Sequence, residues 1–360
     1  MSRSTPRASG YFRTGYAEDF ALIQTRVEGA ALAAFTLALI TFPFLVSAFY
    51  LDLACQVFLA AIGALSLMLL TGYAGQISLG HAGLLAAGAF TAGVAFREWH
   101  APFWLTLPAA ATVGAILGVI FGLPSLRLRG LYLAVSTLAL YFIVVYLGGE
   151  YENTRGFSTG IMIDPPAIGT IALRNPRAWY FVLLIAAAAT LMACANLLRS
   201  RTGRAWRAIR AHETVAEALG IGIAAYKLLA FVISSAMASV AGALFAYYRG
   251  FVSVEAFSLF LSIQYVAMII IGGMGSLLGA LLGALFVTLL PYALEALLLK
   301  LPRAQSYAGA LFAINYSAFG VVMILFLIFE PLGLVGVWRR LQNYFLLWPF
   351  RYRPIAGARK

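Results

Sequence analysis

Tyr73, Gln76, Ser78 and His81 fall within nine residues of one another, among Gly72, Gly75, Gly80 and Gly83. Their hydroxyl, amide and imidazole groups can offer hydrogen bonds to a polar solute. They sit inside the apolar run LLTGYAGQISLGHAGLLAAGAFTA (69–92). At membrane depth, a backbone broken by glycines needs partners in protein or in a water-lined cavity. Glycine-interrupted apolar segments of this kind mark transport paths. The alternative is close helix packing through small residues, with His81 donating to a backbone carbonyl inside the bundle.

Other chemistries find less support. Gly156-Phe157-Ser158-Thr159-Gly160 matches the spacing of a hydrolase nucleophile elbow. That elbow needs a strand–turn–helix setting with His and acid partners, and the chain has only three histidines. There is no clustered catalytic set, so the chain reads as a non-enzyme. Cys55 and Cys194 lie in separate apolar stretches and suggest neither a disulfide framework nor a metal site. No phosphate-binding G-x-x-x-x-G-K-[ST] run is present, so ATP cannot be held by a P-loop of this chain.

The elements that must position these residues follow from composition. Of 360 residues, 62% are hydrophobic and 11% charged. A soluble domain averages about a quarter charged, so this is an all-α polytopic membrane protein. Spans of about 20 apolar residues are expected near 30–50, 53–71, 81–97, 103–123, 130–148, 179–197, 226–248, 259–271, 276–299 and 308–329. The third and eighth are short and adjoin glycine clusters, which suits broken helices. The net charge of +12 reflects basic residues gathered in loops on one face rather than nucleic-acid binding. With both termini cytoplasmic, the Arg199–Arg210 cluster also lies inside, as the positive-inside rule requires. The organisation expected is a cytoplasmic segment 1–29, a membrane domain 30–329 and a cytoplasmic basic tail 330–360. Within the membrane domain, 149–178 is an outer loop with acidic residues that could receive an external partner, and 198–225 is an inner helical region. Gly72, Gly75 and Gly83 recur as Gly272, Gly275 and Gly283, a weak internal echo.

The inner region, SRTGRAWRAIRAHETVAEALGIGIAAYK (200–227), reads as an amphipathic helix. Trp206, Ile209, Val215, Ala216 and Leu219 form its apolar face, with Thr202 as N-cap and Gly220 as the C-terminal stop. Arg204, Arg207, Arg210, Glu213 and Glu217 fill its polar face. Such a helix could bind anionic membrane lipid. The two acidic residues fit better with a grip for a cytoplasmic protein partner.

Four blocks in order, LLTGYAGQISLGHAGLLAAGAFTA, LRLRGLYLAVSTLAL, RTGRAWRAIRAHETVAEALGIGIAAYKLLAFVISSAMASVAGALFA and IGGMGSLLGALLGA, carry a resemblance. Over about 51–333 the chain resembles the permease subunits of branched-chain amino acid ABC importers, the longer of the two paired types. The resemblance implies an inner-membrane assembly. Its parts are a second homologous permease, two cytoplasmic ATP-binding subunits that carry the ATP, and a periplasmic solute-binding protein. It implies that Glu213–Gly222 is the coupling helix that docks on an ATPase. From the glycine breaks themselves, the path is expected to pass Gly72, Tyr73, Gly75, Gln76, Ser78 and His81, and Gly272, Gly273 and Gly275. The chain reads NTRGFSTG in the outer loop where relatives show a TGG-type run, and relatives import urea, short amides or aromatic acids as well. A rival class, a stand-alone secondary transporter, would need a coupling-ion site in the membrane. Only His81 looks deep enough to serve.

Overall fold

The structure, a computed structural model, describes residues 26–126, 128, 130–157, 160–168, 171–172, 175–298, 311–330 and 332–347. It is an α-helical bundle. The chain runs α1 (Arg26–Leu45), α2 (Ala48–Leu67), a π-helical turn (Met68–Tyr73), α3 (His81–Trp99), α4 (Phe103–Ser125) and α5 (Leu131–Arg155). Next come α6 (Pro176–Arg199), α7 (Arg201–Ala211), α8 (Glu213–Ala218) and α9 (Ile223–Arg249). It ends with α10 (Leu259–Gly272), α11 (Leu277–Leu298), α12 (Leu311–Phe329) and α13 (Gly333–Leu347).

Among the described residues, six helical stretches are long and apolar enough to cross a bilayer, and three shorter apolar helices accompany them. Over the described residues, all ten expected windows fall mainly on helices, so this is an integral membrane protein; residues 299 and 308–310 of two windows lie outside the described residues. Two boundaries differ. The first window ran to residue 50, but α1 stops at Leu45 and α2 begins at Ala48, with Ser47 in extended conformation between them. The outer loop was expected from 149, yet α5 continues to Arg155 and stops at Gly156, whose φ of 69° ends the helix. Arg155 pairs with Glu98 at the end of α3, at 3.2 Å.

The 27-residue α9, about 40 Å long at 1.5 Å per residue, is the centre of the bundle. It packs against α4, α3 and α2. Small residues make this possible. A Cβ on Gly88 or Gly242 would collide with the facing backbone of Ser239 or Leu85 respectively. Ser239 Oγ donates to Leu84 O at 2.9 Å and Ser234 Oγ to Ser66 O at 2.8 Å. Helices in lipid gain from such close approach and interhelical bonds, since lipid is as apolar as their own side chains. Apolar side chains on α1, α4 and α5 point outward, where the bilayer would cover them.

The two ends of the bundle differ. At one end, β1 (Ile161–Met162) pairs antiparallel with β4 (Phe251–Val252), Ile161 opposite Val252, and this clips the 160s loop onto the end of α9. A second minimal pair, β2 (Ala167–Ile168) with β3 (Ile171–Ala172), lies in the same loop. At the other end lie the π-helical turn, α7 and α8, and the start of α11.

Candidate translocation and coupling site

The glycine break is real, and protein groups take up part of its backbone. After the π-helical turn, Gly75 adopts φ +74° and residues 74–80 run without helical pairing until α3 starts at His81. Ala74 N donates to Leu69 O and Gln76 N to Leu70 O, both at 3.1 Å. Thr71 Oγ1 donates to Gln76 O at 2.9 Å, and Leu79 N donates to Thr137 Oγ1 of α5 at 2.9 Å. Ala82 N donates to Ser262 Oγ of α10 at 2.9 Å. Protein groups do here what water does for a soluble loop.

The polar side chains of the break are enclosed rather than open. His81 is completely buried. Its Nε2 lies 3.0 Å from Gly63 O and 3.2 Å from Ser66 Oγ, and the Tyr265 ring meets it edge-on at 5.1 Å. Gln76 is buried and donates from Nε2 to Lys227 O at the start of α9, at 3.0 Å. Ser78 is buried with an unpartnered hydroxyl. Tyr73 is half-buried and Gly75 exposed. In this conformation, therefore, Gln76 and His81 hold helices together.

The second glycine cluster meets the first. Gly273 (φ +117°) and Gly275 (φ +86°) join α10 to α11. Gly272 packs on the Gly279 and Gly283 backbone, and Gly273 on Leu332 at the entry to α13. A Cβ on Gly72 would lie 3.1 Å from Gly275 N. Both clusters are thus helix–break–helix units in contact. Their third glycines differ in use, since Gly83 packs on Tyr141 and Gly283 on Met268.

The expected amphipathic helix is two helices. Ser200, not Thr202, precedes α7, because one extended residue turns the chain from α6 into α7. Gly203 sits where a Cβ would collide with the Leu198 backbone. At His212 the backbone is extended again and α8 begins. Gly220, at φ +82°, ends α8 as expected. Gly220 N donates to Glu217 O at 2.9 Å and Ile221 N to Ala216 O at 3.1 Å.

The three arginines assigned to a partner's grip turn to the protein's own carbonyls. Arg204 Nη1 donates to Arg199 O at 3.0 Å and Arg207 Nη2 to Leu198 O at 2.9 Å, at the carbonyl end of α6. Cations belong at that end of a helix dipole. Arg210 Nη1 donates to Gly72 O. The same guanidinium would crowd a Cβ on Gly275, at 2.7 Å, and the Arg210 side chain stem lies under Gly75. Trp206, fully buried, donates from Nε1 to Tyr226 O at 2.8 Å. Glu213 pairs with Lys227 at 2.6 Å.

The apolar face also splits. Trp206, Ile209 and Ala216 are buried as expected, but Val215 is 55% and Leu219 75% exposed. Glu217 is exposed beside them. This corner of the chain therefore shows two large apolar side chains and a carboxylate, while its other side is pinned to the protein.

Three features escaped sequence reading. Tyr292 OH donates to Gln56 Oε1 at 3.0 Å, Gln56 Nε2 to Asp52 Oδ2 at 2.7 Å, and Tyr248 OH to Asp52 Oδ1, linking α11, α2 and α9. Beside this chain lies a cavity of about 290 Å³. Residues 333–347, expected as tail, form α13, which packs on α10 and α11. The partners are far apart in sequence, and only the apolar-basic alternation of 333–347 gave a local signal.

The profile of a family described as the branched-chain amino acid transport system permease component matches residues 49–329. The chain is 34% identical over 280 residues to the high-affinity branched-chain amino acid transport system permease protein LivM of Salmonella typhimurium and of Escherichia coli. Each match covers 71% of this chain and 66% of the relative, just under two thirds of its length. The autoinducer 2 import system permease protein LsrC of Enterobacter is 30% identical over 240 residues, covering 64% of this chain and 66% of the relative. No solved structure matches. The match spans both glycine breaks, the Arg210 junction and α8, and the chain belongs to the branched-chain amino acid transport system permease family.

Proposed function

We propose that this chain is the permease subunit of an ATP-driven importer that moves branched-chain aliphatic amino acids across the bacterial inner membrane. It works beside a second, homologous permease, above two ATP-binding subunits, and receives solute from a periplasmic binding protein. The observation that carries this reading is the Arg210 junction. One side chain on α7 holds the Gly72 carbonyl and lies against Gly75 and Gly275. Movement of α7 and α8 is thereby delivered to both helix breaks at once. The exposed Val215, Glu217 and Leu219 supply the surface on which an ATPase pushes. An ATPase can shift the breaks only if it binds α8 differently in the two states. The basic α7 end is cytoplasmic by the positive-inside rule, so the β1–β4 end faces the periplasm. ATP is held by the partners, and this chain itself carries no cofactor.

The test is assembly and uptake with Val215→Asp and Leu219→Asp together. ATPase co-purification and ATP-dependent uptake of L-leucine are expected to be lost, while the permease stays folded. Full recovery of the ATPases refutes docking on α8. Uptake that persists without any ATPase subunit refutes the importer reading in favour of a secondary transporter. Uptake of autoinducer 2 or urea, but not of L-leucine, would keep the mechanism and replace the solute.

A further inference from the structure

We propose that the cavity between α2, α3, α9, α10 and α11 is a solute chamber. It takes a small molecule with an aliphatic body and a carboxylate end. This rests on the reading of the chain as an importer permease and adds a place and a chemistry for the cargo.

The cavity holds about 290 Å³, near the lower end of the range for small-molecule sites. Its walls are mostly apolar, with Leu59, Leu85, Phe257 and Met268 among them. Polar groups are few. Thr288 Oγ1 is buried, lines this space and has no hydrogen-bond partner. Buried hydroxyls nearly always have one, so this group is free for a guest. Gln264 also lines the space. Gln56 is fixed in place by Asp52 and Tyr292, so it needs no reordering when a guest enters.

Arg249 supplies the charge. Among the described residues it makes no ion pair, and its guanidinium lies over the Phe245 ring at 5.8 Å. It lines both this cavity and a neighbouring one of about 410 Å³ that contains Asp52, Trp179 and Tyr248. The second cavity lies at the β1–β4 end, where a solute would arrive. An arginine between an entry basin and an apolar chamber suits a carboxylate led by its charged end. A neutral amide such as urea would leave the apolar walls unfilled.

Tyr265 forms the boundary towards the glycine break. Its ring covers Gly63, where a Cβ would lie 2.5–2.8 Å from Cε1, Cζ and the hydroxyl. Its edge faces His81 on the far side. Chamber, Tyr265, His81 and the break thus follow one another down α2.

The test uses the complete importer in proteoliposomes, with Thr288→Cys labelled by a small methanethiosulfonate reagent from the β1–β4 face. Cys55 and Cys194 are buried, and the wild type reports any background. Met162→Cys, exposed on β1 at the same face, is the control that no solute should shield. L-leucine at about ten times its dissociation constant is expected to slow labelling of Thr288→Cys about tenfold, the factor set by mass action. Urea should leave the rate unchanged. Thr288→Val is expected to raise the KM for L-leucine. An unreactive Thr288→Cys, or equal labelling with and without either solute, overturns the chamber. Shielding by urea alone overturns the ligand class. If shielding occurs but wild-type uptake needs no ATP, the chamber stands and the importer reading falls.

Discussion

The guanidinium of Arg210 donates to the carbonyl of Gly72, a residue 138 positions away, at the end of the π-helical turn. That carbonyl has lost its helical partner because the chain breaks at Gly75. A side chain from the soluble face of the bundle therefore completes the backbone of a membrane helix. The consequence is mechanical, since α7 cannot move without altering the break. Arg210→Ala is expected to remove a charged hydrogen bond worth about 1.5–3 kcal/mol. Uptake should fall sharply while solute-independent ATP hydrolysis and ATPase co-purification persist, because α8 is intact. Arg210→Lys should restore part of the uptake. Equal uptake by Arg210→Ala and wild type would remove the junction from the mechanism.

The breaks themselves depend on glycine for two separate reasons. Gly75 has a left-handed backbone, and a Cβ there would meet the Arg210 stem only at ordinary contact distance, whereas Gly72 is boxed in by Met68 and Gly275 N. Gly75→Ala is expected to cost about 1 kcal/mol from conformation alone. Gly272→Val should do more harm, since Gly279 and Gly283 lie against the same spot. Thermal unfolding in detergent checks the order: Gly272→Val lowest, Gly75→Ala intermediate, wild type highest.

Much of this was legible along the chain. Over the described residues, each expected span lies mainly on a helix, because apolar length is a local property. The break at 72–83 was legible because glycine and polar residues stand out in an apolar run. The role of its side chains was not. Gln76 bonds to Lys227 O, 151 residues on, and His81 packs against Tyr265. Nothing near either residue in sequence tells a path lining from a helix fastener. The carbonyl partners of the α7 arginines were equally hidden, since spacing gives the face of a helix but not which carbonyls lie within reach. Val215 and Leu219 matched an apolar stripe, and the turn at His212 rotated them outward.

His81 then makes a sharp case. A solute contact and a structural fastener respond differently to replacement. Its Nε2 lies within hydrogen-bond distance of Gly63 O and Ser66 Oγ in a fully buried site. His81→Leu removes both contacts, although Ser66 Oγ keeps its own bond to Gly63 O at 2.7 Å, and about 1 kcal/mol of stability should be lost. The KM for solute in the surviving folded protein should match that of the wild type. A raised KM with an unchanged melting temperature would return His81 to the path.

The tie between Glu213 and Lys227 separates stability from transmission most cleanly. The two atoms are 2.6 Å apart, with side chains 30% and 16% exposed. A partly exposed pair of this kind adds about 1 kcal/mol or less to folding. Lys227→Gln should thus melt close to the wild type. The pair nevertheless joins α8 to the first turn of α9, next to the Tyr226 and Lys227 carbonyls that hold Trp206 and Gln76. On the proposed mechanism, this link would carry a force on α8 to α9, while Arg210 would carry it to the two glycine breaks. Uptake by Lys227→Gln and by Glu213→Gln should fall to a similar extent, and the double substitution should do little further damage. Such non-additivity is the signature of residues acting as one unit. Additive losses in the double-mutant cycle would show that the two side chains serve separate ends, and the transmission route would then run through Arg210 alone.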